Sequence, residues 1–183
     1  YFNSSRTPDI QFQGGVSNNY FTGNTFQIAS SLTNNPVFTF AAGTVASNTS
    51  FVNDQIVKPL NYNITTFLTT ANASMSFTNV SVKNLTGSSG DYYSAYLWNA
   101  TAGGITNVTF NWYLNAYAND SSTGANLNGV NITAWDNTNA LNFSVLSGAD
   151  GNIARQTLIE FWRNSSTSTF YSNYTINATK SSY

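Results

Sequence analysis

Fourteen asparagines in this 183-residue chain stand two places before a serine or threonine with no proline between: Asn3, Asn48, Asn63, Asn72, Asn79, Asn84, Asn99, Asn107, Asn119, Asn131, Asn142, Asn164, Asn173 and Asn177. In such a triplet the amide nitrogen takes an N-linked sugar, and the hydroxyl two residues on completes the motif. Random order of the chain's 28 Asn, 23 Ser and 24 Thr would yield about seven triplets. The chain carries twice that. The chemistry its side chains point to is covalent N-glycosylation, which implies an extracellular location.

Other reactive groups are sparse. The chain has no cysteine and no histidine, so thiol or imidazole nucleophile–base pairs are excluded. The common zinc, iron and copper sites lose their main ligands as well. A carboxylate pair for glycoside hydrolysis, Asp150 with Glu160, is the one enzymatic alternative, but the seven acids are scattered through turns. Asp120-Ser-Ser-Thr-Gly-Ala-Asn126 is faintly similar to an oxygen-ligand calcium loop, yet with one carboxylate it reads as a polar turn. Glu160 has arginines nearby to pair with, and a Lys–Asn crosslink from Lys58, Lys83 or Lys180 is neither supported nor excluded by spacing. No catalytic residue, metal or cofactor is expected beyond covalent N-linked glycans.

Charge is scarce too. Only 7% of residues are charged, against about 25% in an ordinary soluble domain. A net charge of −1 with no basic patch argues against nucleic acid. A surface so poor in charge needs another hydrophilic cover, and glycans supply one. Few titrating groups also mean a weak dependence of stability on pH, which suits an acidic habitat. No run of 18 apolar residues suggests a membrane span. The chain opens with no charged and apolar leader, so Tyr1 is expected to be a mature start.

The elements that must hold these asparagines alternate with period two. Val, Ile, Thr, Tyr and Phe dominate Ile10–Val16, Val37–Phe40, Tyr62–Phe67, Met75–Val82, Tyr92–Trp98, Ile105–Tyr117, Leu127–Trp135, Leu141–Leu146, Ile153–Trp162 and Phe170–Ala178. Gly/Ser/Asn turns separate them, as at Thr86–Gly90, Ala102–Gly104, Asp120–Gly124 and Gly148–Gly151. Short strands at regular spacing indicate an all-β sandwich. No internal repeat or linker stands out. In Asn63-Ile-Thr, Asn79-Val-Ser, Asn107-Val-Thr, Asn131-Ile-Thr, Asn142-Phe-Ser and Asn173-Tyr-Thr the middle residue is apolar. On a strand, acceptor and hydroxyl then face solvent while the middle residue faces the core. Trp98, Trp112, Trp135 and Trp162 all fall in strand segments and are expected in the core.

Residues 1–17 form a separate segment. After Pro8, which cannot donate a ladder hydrogen bond, comes a one-sided strand with Ile10, Phe12, Gly14 and Val16 in alternate positions. It reads either as the first strand of the chain's own sheet or as a donor strand that completes a neighbour's. Burying Ile10, Phe12 and Val16 in a neighbour would contribute about 5–8 kcal/mol of apolar transfer. Such a head-to-tail contact does not close on itself and builds a filament.

The phrase Asp9-Ile-Gln-Phe-Gln-Gly-Gly-Val16 resembles the opening strand of bacterial chaperone–usher pilins, which carry a cysteine soon afterwards where this chain has none. The chain also lacks the long apolar N-terminal helix of type IV pilins. With its all-β pattern, absence of cysteine and crowd of sequons, it most resembles the thread pilus subunits of thermoacidophilic archaea. That resemblance implies a pilin-like, immunoglobulin-like β-sandwich over residues 18–183, completed by a donor strand from a neighbouring subunit. Phe2, Ile10, Phe12, Gly14 and Val16 would form the interface, with either residues 1–8 or residues 9–17 as the inserted strand. It implies identical subunits as partners and a non-catalytic role in adhesion or biofilm formation. The alternative is a self-contained secreted carbohydrate-binding or cell-surface layer module.

Overall fold

Three stretches share a pattern once their phenylalanines are aligned: Asn18-Asn-Tyr-Phe21-Thr-Gly-Asn24-Thr-Phe26, Asn48-Thr-Ser-Phe51-Val-Asn-Asp54-Gln-Ile56 and Ser74-Met-Ser-Phe77-Thr-Asn-Val80-Ser-Val82. The computed structural model, which describes residues 2–4, 10–28, 37–40, 45–58, 65–67, 72–84, 98–100, 106–164 and 167–181, stacks these stretches on one another. The rings of Phe21 and Phe51 lie 4.9 Å apart and 9° from parallel. Phe51 and Phe77 follow at 4.8 Å, then Phe77 and Phe110 at 4.7 Å. These distances match the spacing of neighbouring strands in a sheet. The expectation of no internal repeat is therefore corrected: a degenerate repeat is present. It is concealed because its offsets are unequal, 30 residues and then 26, and because Asn, Ser and Thr fill the chain everywhere.

The chain is all-β, with eighteen strands among the described residues. It divides into two compact units, Tyr1–Phe110 with Trp162–Ser168 and Asn111–Phe161 with Thr169–Tyr183. The expected single domain over residues 18–183 differs from this division, and the strand at Ile10 belongs to the first unit.

The first unit winds in successive rungs. The first comprises β1 (Phe2–Ser4), β2 (Ile10–Phe12), β3 (Gly15–Ser17) and β4 (Tyr20–Thr22). The second is β5 (Thr25–Ile28), β6 (Phe38–Phe40) and β7 (Val45–Val52); the third is β8 (Gln55–Lys58), β9 (Thr65–Phe67) and β10 (Asn72–Thr78). The fourth is β11 (Ser81–Asn84), β12 (Trp98–Ala100) and β13 (Thr106–Leu114). One sheet runs β1-β5-β8-β11, a second β2-β6-β9-β12, and in a third β3 and β4 both pair with one edge of β7, whose other edge pairs with β10, followed by β13. Every pair in the first two sheets is parallel, as are the pairs among β3, β4, β7 and β10. An immunoglobulin-like sandwich is built from antiparallel pairs, so this unit differs from that expectation in strand direction.

The three sheets meet at a phenylalanine core. Phe26 on β5, Phe38 on β6 and Phe51 on β7 come from the three sides of one rung, with ring centroids 5.2, 4.5 and 5.7 Å apart pairwise. All three are fully buried, as are Phe40, Ile56, Phe77 and Phe110. Corners between sheets need a left-handed residue, which only Gly and Asn adopt readily. Gly23, Asn53 and Asn79 fill equivalent corners with φ of 69°, 54° and 53°.

In the second unit β14 (Asn131–Trp135) lies between β15 (Leu141–Leu146) and β18 (Thr175–Thr179), antiparallel to both. The Asp136–Ala140 turn joins β14 to β15: Asp136 Oδ1 accepts from the Thr138 amide at 2.8 Å and the Ala140 amide at 3.0 Å. Val130, Ile132 and Ile153 form its core, packed by Ala116, Ala118, Leu127, Phe143 and Val145. β16 (Gln156–Asn164) and β17 (Ser168–Phe170) complete the strands, and Phe161 packs on Phe170 at 4.8 Å.

Candidate glycan-bearing surface and N-terminal strand

A glycan acceptor must reach solvent, and alternation along a strand, a left-handed backbone or a turn puts it there. Nine of the fourteen acceptor side chains are described. Asn48, Asn79, Asn119, Asn142, Asn173 and Asn177 are exposed; Asn107, Asn131 and Asn164 are partly exposed; none of the nine is buried. Between acceptor and hydroxyl, Thr49, Val80, Val108 and Ile132 are buried, and Phe143 packs against the second unit's core. The expected division of outward asparagine and inward apolar residue holds at Asn79, Asn107 and Asn131. Asn3, Asn72, Asn84 and Asn99 lie on strands whose side chains here are outside the described set, and Asn63 lies outside the described residues.

Two acceptors sit in asparagine ladders that follow from the stacked rungs. Asn48, left-handed with φ 56° where the β7–β10 register shifts, donates from Nδ2 to Asn18 Oδ1 at 3.2 Å. Asn79 donates in the same way to Asn53 Oδ1 at 2.8 Å. An amide nitrogen carries two hydrogens, so one bond to the rung below leaves the other replaceable by a sugar. Asn18 and Asn53 escape sequence reasoning because neither heads a sequon. The recurrence of Asn at aligned places in the repeat is the signal that marks them.

The N-terminal ribbon pairs within its own chain. Ile10–Phe12 runs parallel to Phe38–Phe40, the Ile10 amide donates to the Val37 carbonyl at 3.2 Å, and Gly15–Ser17 registers on Val45–Ser47. Phe12 is 6% exposed and stacks on Phe40 at 4.6 Å. Ile10 is partly buried, and Gly14 is an exposed left-handed corner with φ 70°. The side chains of Phe2 and Val16 are outside the described set; their backbones register on Phe26 and Ala46. Of the two readings left open by the sequence, a first strand of the chain's own sheet is the arrangement seen here. β1 and β2 are each the end strand of their sheets, and β3 and β4 both lie at the β7 edge.

No family, curated protein or solved structure matches the chain.

The carboxylates are occupied by local structure. Glu160 accepts a hydrogen bond from Trp112 Nε1, whereas Asp150 sits in an exposed turn and accepts from the Asn152 amide at 3.1 Å and from its side chain at 3.0 Å. The two acids thus have separate partners. Asp120 accepts from the Ser122 hydroxyl at 2.6 Å and from the Ser122 and Thr123 amides at 2.7 and 2.9 Å, the pattern of a polar turn. Those bonds, the Ser122 hydroxyl foremost, hold its carboxyl down at about 2. Among the described residues no three metal-ligating side chains cluster, and no helix is long and apolar enough to cross a membrane. Of the lysines raised as crosslink candidates, Lys58 is buried, Lys83 exposed and Lys180 partly exposed; burial pushes the Lys58 amine down to about 8. The tryptophans expected in the core differ from that expectation: Trp112, Trp135 and Trp162 are all partly exposed, and the Trp98 side chain is outside the described set.

Among the described residues, Asp54 is the one buried side chain with an orphaned atom. It occupies the place in its rung that Asn24 holds in the rung before. Its Oδ1 accepts from the Asn24 amide at 2.6 Å and from Asn24 Nδ2 at 3.2 Å, while Oδ2 is buried without a hydrogen bond. Burial raises its pKa, and the Asn24 bonds only partly offset that.

Proposed function

We propose that this chain is a non-catalytic, N-glycosylated structural subunit of an extracellular filament, with a role in adhesion or biofilm formation. The observation that supports the glycan part is that all nine described acceptor asparagines reach the surface while the residues at their centres pack inward at Asn48, Asn79, Asn107 and Asn131. The filament part draws on the N-terminal strands. Among the described residues each is bonded along one edge only, and a strand held that way can be supplied by another copy with the same register, as in domain swapping. In the filament, residues 1–17 of one subunit would take the place beside Phe38–Phe40 and Val45–Ser47 of the next. The donor strand would thus complete a neighbour's β-structure in the pilin-like manner, with identical subunits as partners.

Deleting residues 1–16 should abolish filaments and leave a soluble, less stable subunit that binds a peptide of residues 1–17. Continued polymerisation of the truncated protein would refute strand donation from this end.

A second reading is favoured by the intrachain seat of Phe12 against Phe40: a self-contained surface module, glycosylated but monomeric. Imaging of native material separates the two, since fibres support the first and globules the second.

A further inference from the structure

The outer face of the β15-β14-β18 sheet brings three sequons together. On β14, Ile132 and Ala134 point into the core, so Asn131, Thr133 and Trp135 share the opposite face. Antiparallel register sets Asn131 between Leu146 and Thr179, Thr133 between Ser144 and Asn177, and Trp135 between Leu141 and Thr175. The sequons Asn131-Ile-Thr133 and Asn177-Ala-Thr179 therefore lie head to tail across the two strands, each acceptor opposite the other's hydroxyl residue. Ser144, the hydroxyl of the Asn142 sequon, donates to Asn131 Oδ1 at 2.9 Å. No hydrogen bond engages Asn131 Nδ2 or the Asn177 side chain among the described residues.

This same face carries apolar surface that no contact among the described residues covers. Leu146 is 65% and Leu141 61% exposed, and Trp135 is partly exposed. Leu146 lies directly opposite Asn131, about 5 Å away between Cβ atoms, and Trp135 is diagonal to Asn177 at about 7–8 Å. Sugar rings present a hydrophobic face of C–H bonds, and an indole is a flat apolar surface on which such a face stacks.

We propose that the glycans on Asn131 and Asn177 fold down onto this face, the first seated against Leu146 and the second against Trp135, so that the chain's own sugars are the missing outer layer of the sheet. The sugars here act as packing groups as well as a hydrophilic coat. This rests on the glycosylation proposed above. It goes further in assigning those two glycans a defined seat on protein.

The test uses protein from its native host, site occupancy by mass spectrometry of peptides, and acrylamide quenching of tryptophan fluorescence. Thr179→Ala removes the Asn177 sequon without touching the acceptor, and Thr179→Ser retains it. Thr179→Ala should red-shift the emission and raise the quenching constant of Trp135 roughly twofold, as one indole face loses its cover. Thr179→Ser should leave both unchanged, and in a Trp135→Phe background the difference between the two variants should vanish. Glycan present on Asn177 with no change in quenching on its removal overturns the seat while leaving glycosylation intact. Unmodified Asn131 and Asn177 in the native protein overturn the seat and the glycosylation of this face together.

Discussion

Replacing Phe51 by alanine tests the stacked-rung architecture at its centre. The ring is fully buried, sandwiched between Phe21 at 4.9 Å and Phe77 at 4.8 Å, and it touches Phe38 at 4.5 Å and Phe26 at 5.7 Å. Truncating a buried Phe to Ala costs about 3–5 kcal/mol through lost transfer and the cavity left behind. Each aromatic pair adds about 0.5–1.5 kcal/mol beyond its area, although pairs that share one ring do not add. Phe51→Ala is thus expected near the upper end, about 4–5 kcal/mol, a large share of the 5–15 kcal/mol typical of a native domain. At about 2–4 °C per kcal/mol for a chain of this size, Tm should fall by about 8–20 °C. The companion variant is Tyr20→Ala, one residue before Phe21 on β4 and 64% exposed; it should change stability by under about 1 kcal/mol. Urea denaturation of the soluble subunit, followed by far-UV circular dichroism, measures both. Because a register slip of one residue reverses every side chain, a Tyr20→Ala loss equal to that of Phe51→Ala would refute the stacking.

Five further substitutions probe corners and charge. Asn53 is left-handed with φ 54° and accepts from Asn79, so Asn53→Ala should lose about 1–2 kcal/mol to backbone strain; Asn53→Gly, which keeps the conformation, should recover most of it in the same denaturation assay. Asp54, its pKa raised by burial, binds its proton more tightly folded than unfolded. Its contribution is therefore complete below the ordinary carboxylate pKa and is lost as pH rises through the higher folded value. Asp54→Asn should flatten that decline in stability measured from pH 3 to 7, and an unchanged slope would assign the decline elsewhere. At Gly151, φ is 77° and a Cβ would lie 2.6 Å from the Ala118 carbonyl oxygen and 2.8 Å from Tyr117 Cε2, whereas Gly124, φ 73°, has open space. Gly151→Ala should consequently lower Tm well beyond Gly124→Ala, and equal shifts would mean that the close approach to Ala118 is absent.

What the sequence determined by itself is local. Period-two alternation specified β-structure and which side of a strand faces in, because successive side chains point to opposite faces whatever the strand pairs with. That is why the surface positions of Asn107 and Asn131 and the buried Val108 and Ile132 were legible beforehand, whereas Asn79 reaches the surface from a left-handed corner. The absence of thiol and imidazole chemistry was legible too, being a matter of composition. Pairing was not. Alternation names a face and leaves the neighbour and its direction open, and a parallel partner lies a whole rung away in the chain, as Phe51 does from Phe21 and Phe77. Strand pairing also decided that Ile10–Phe12 finds Phe38–Phe40 of the same chain, that Asn18 and Asn53 become ladder partners, and that Asn131, Asn177 and Trp135 share one surface. Each of these depends on hydrogen bonds between segments far apart in sequence, which only the folded backbone brings into register.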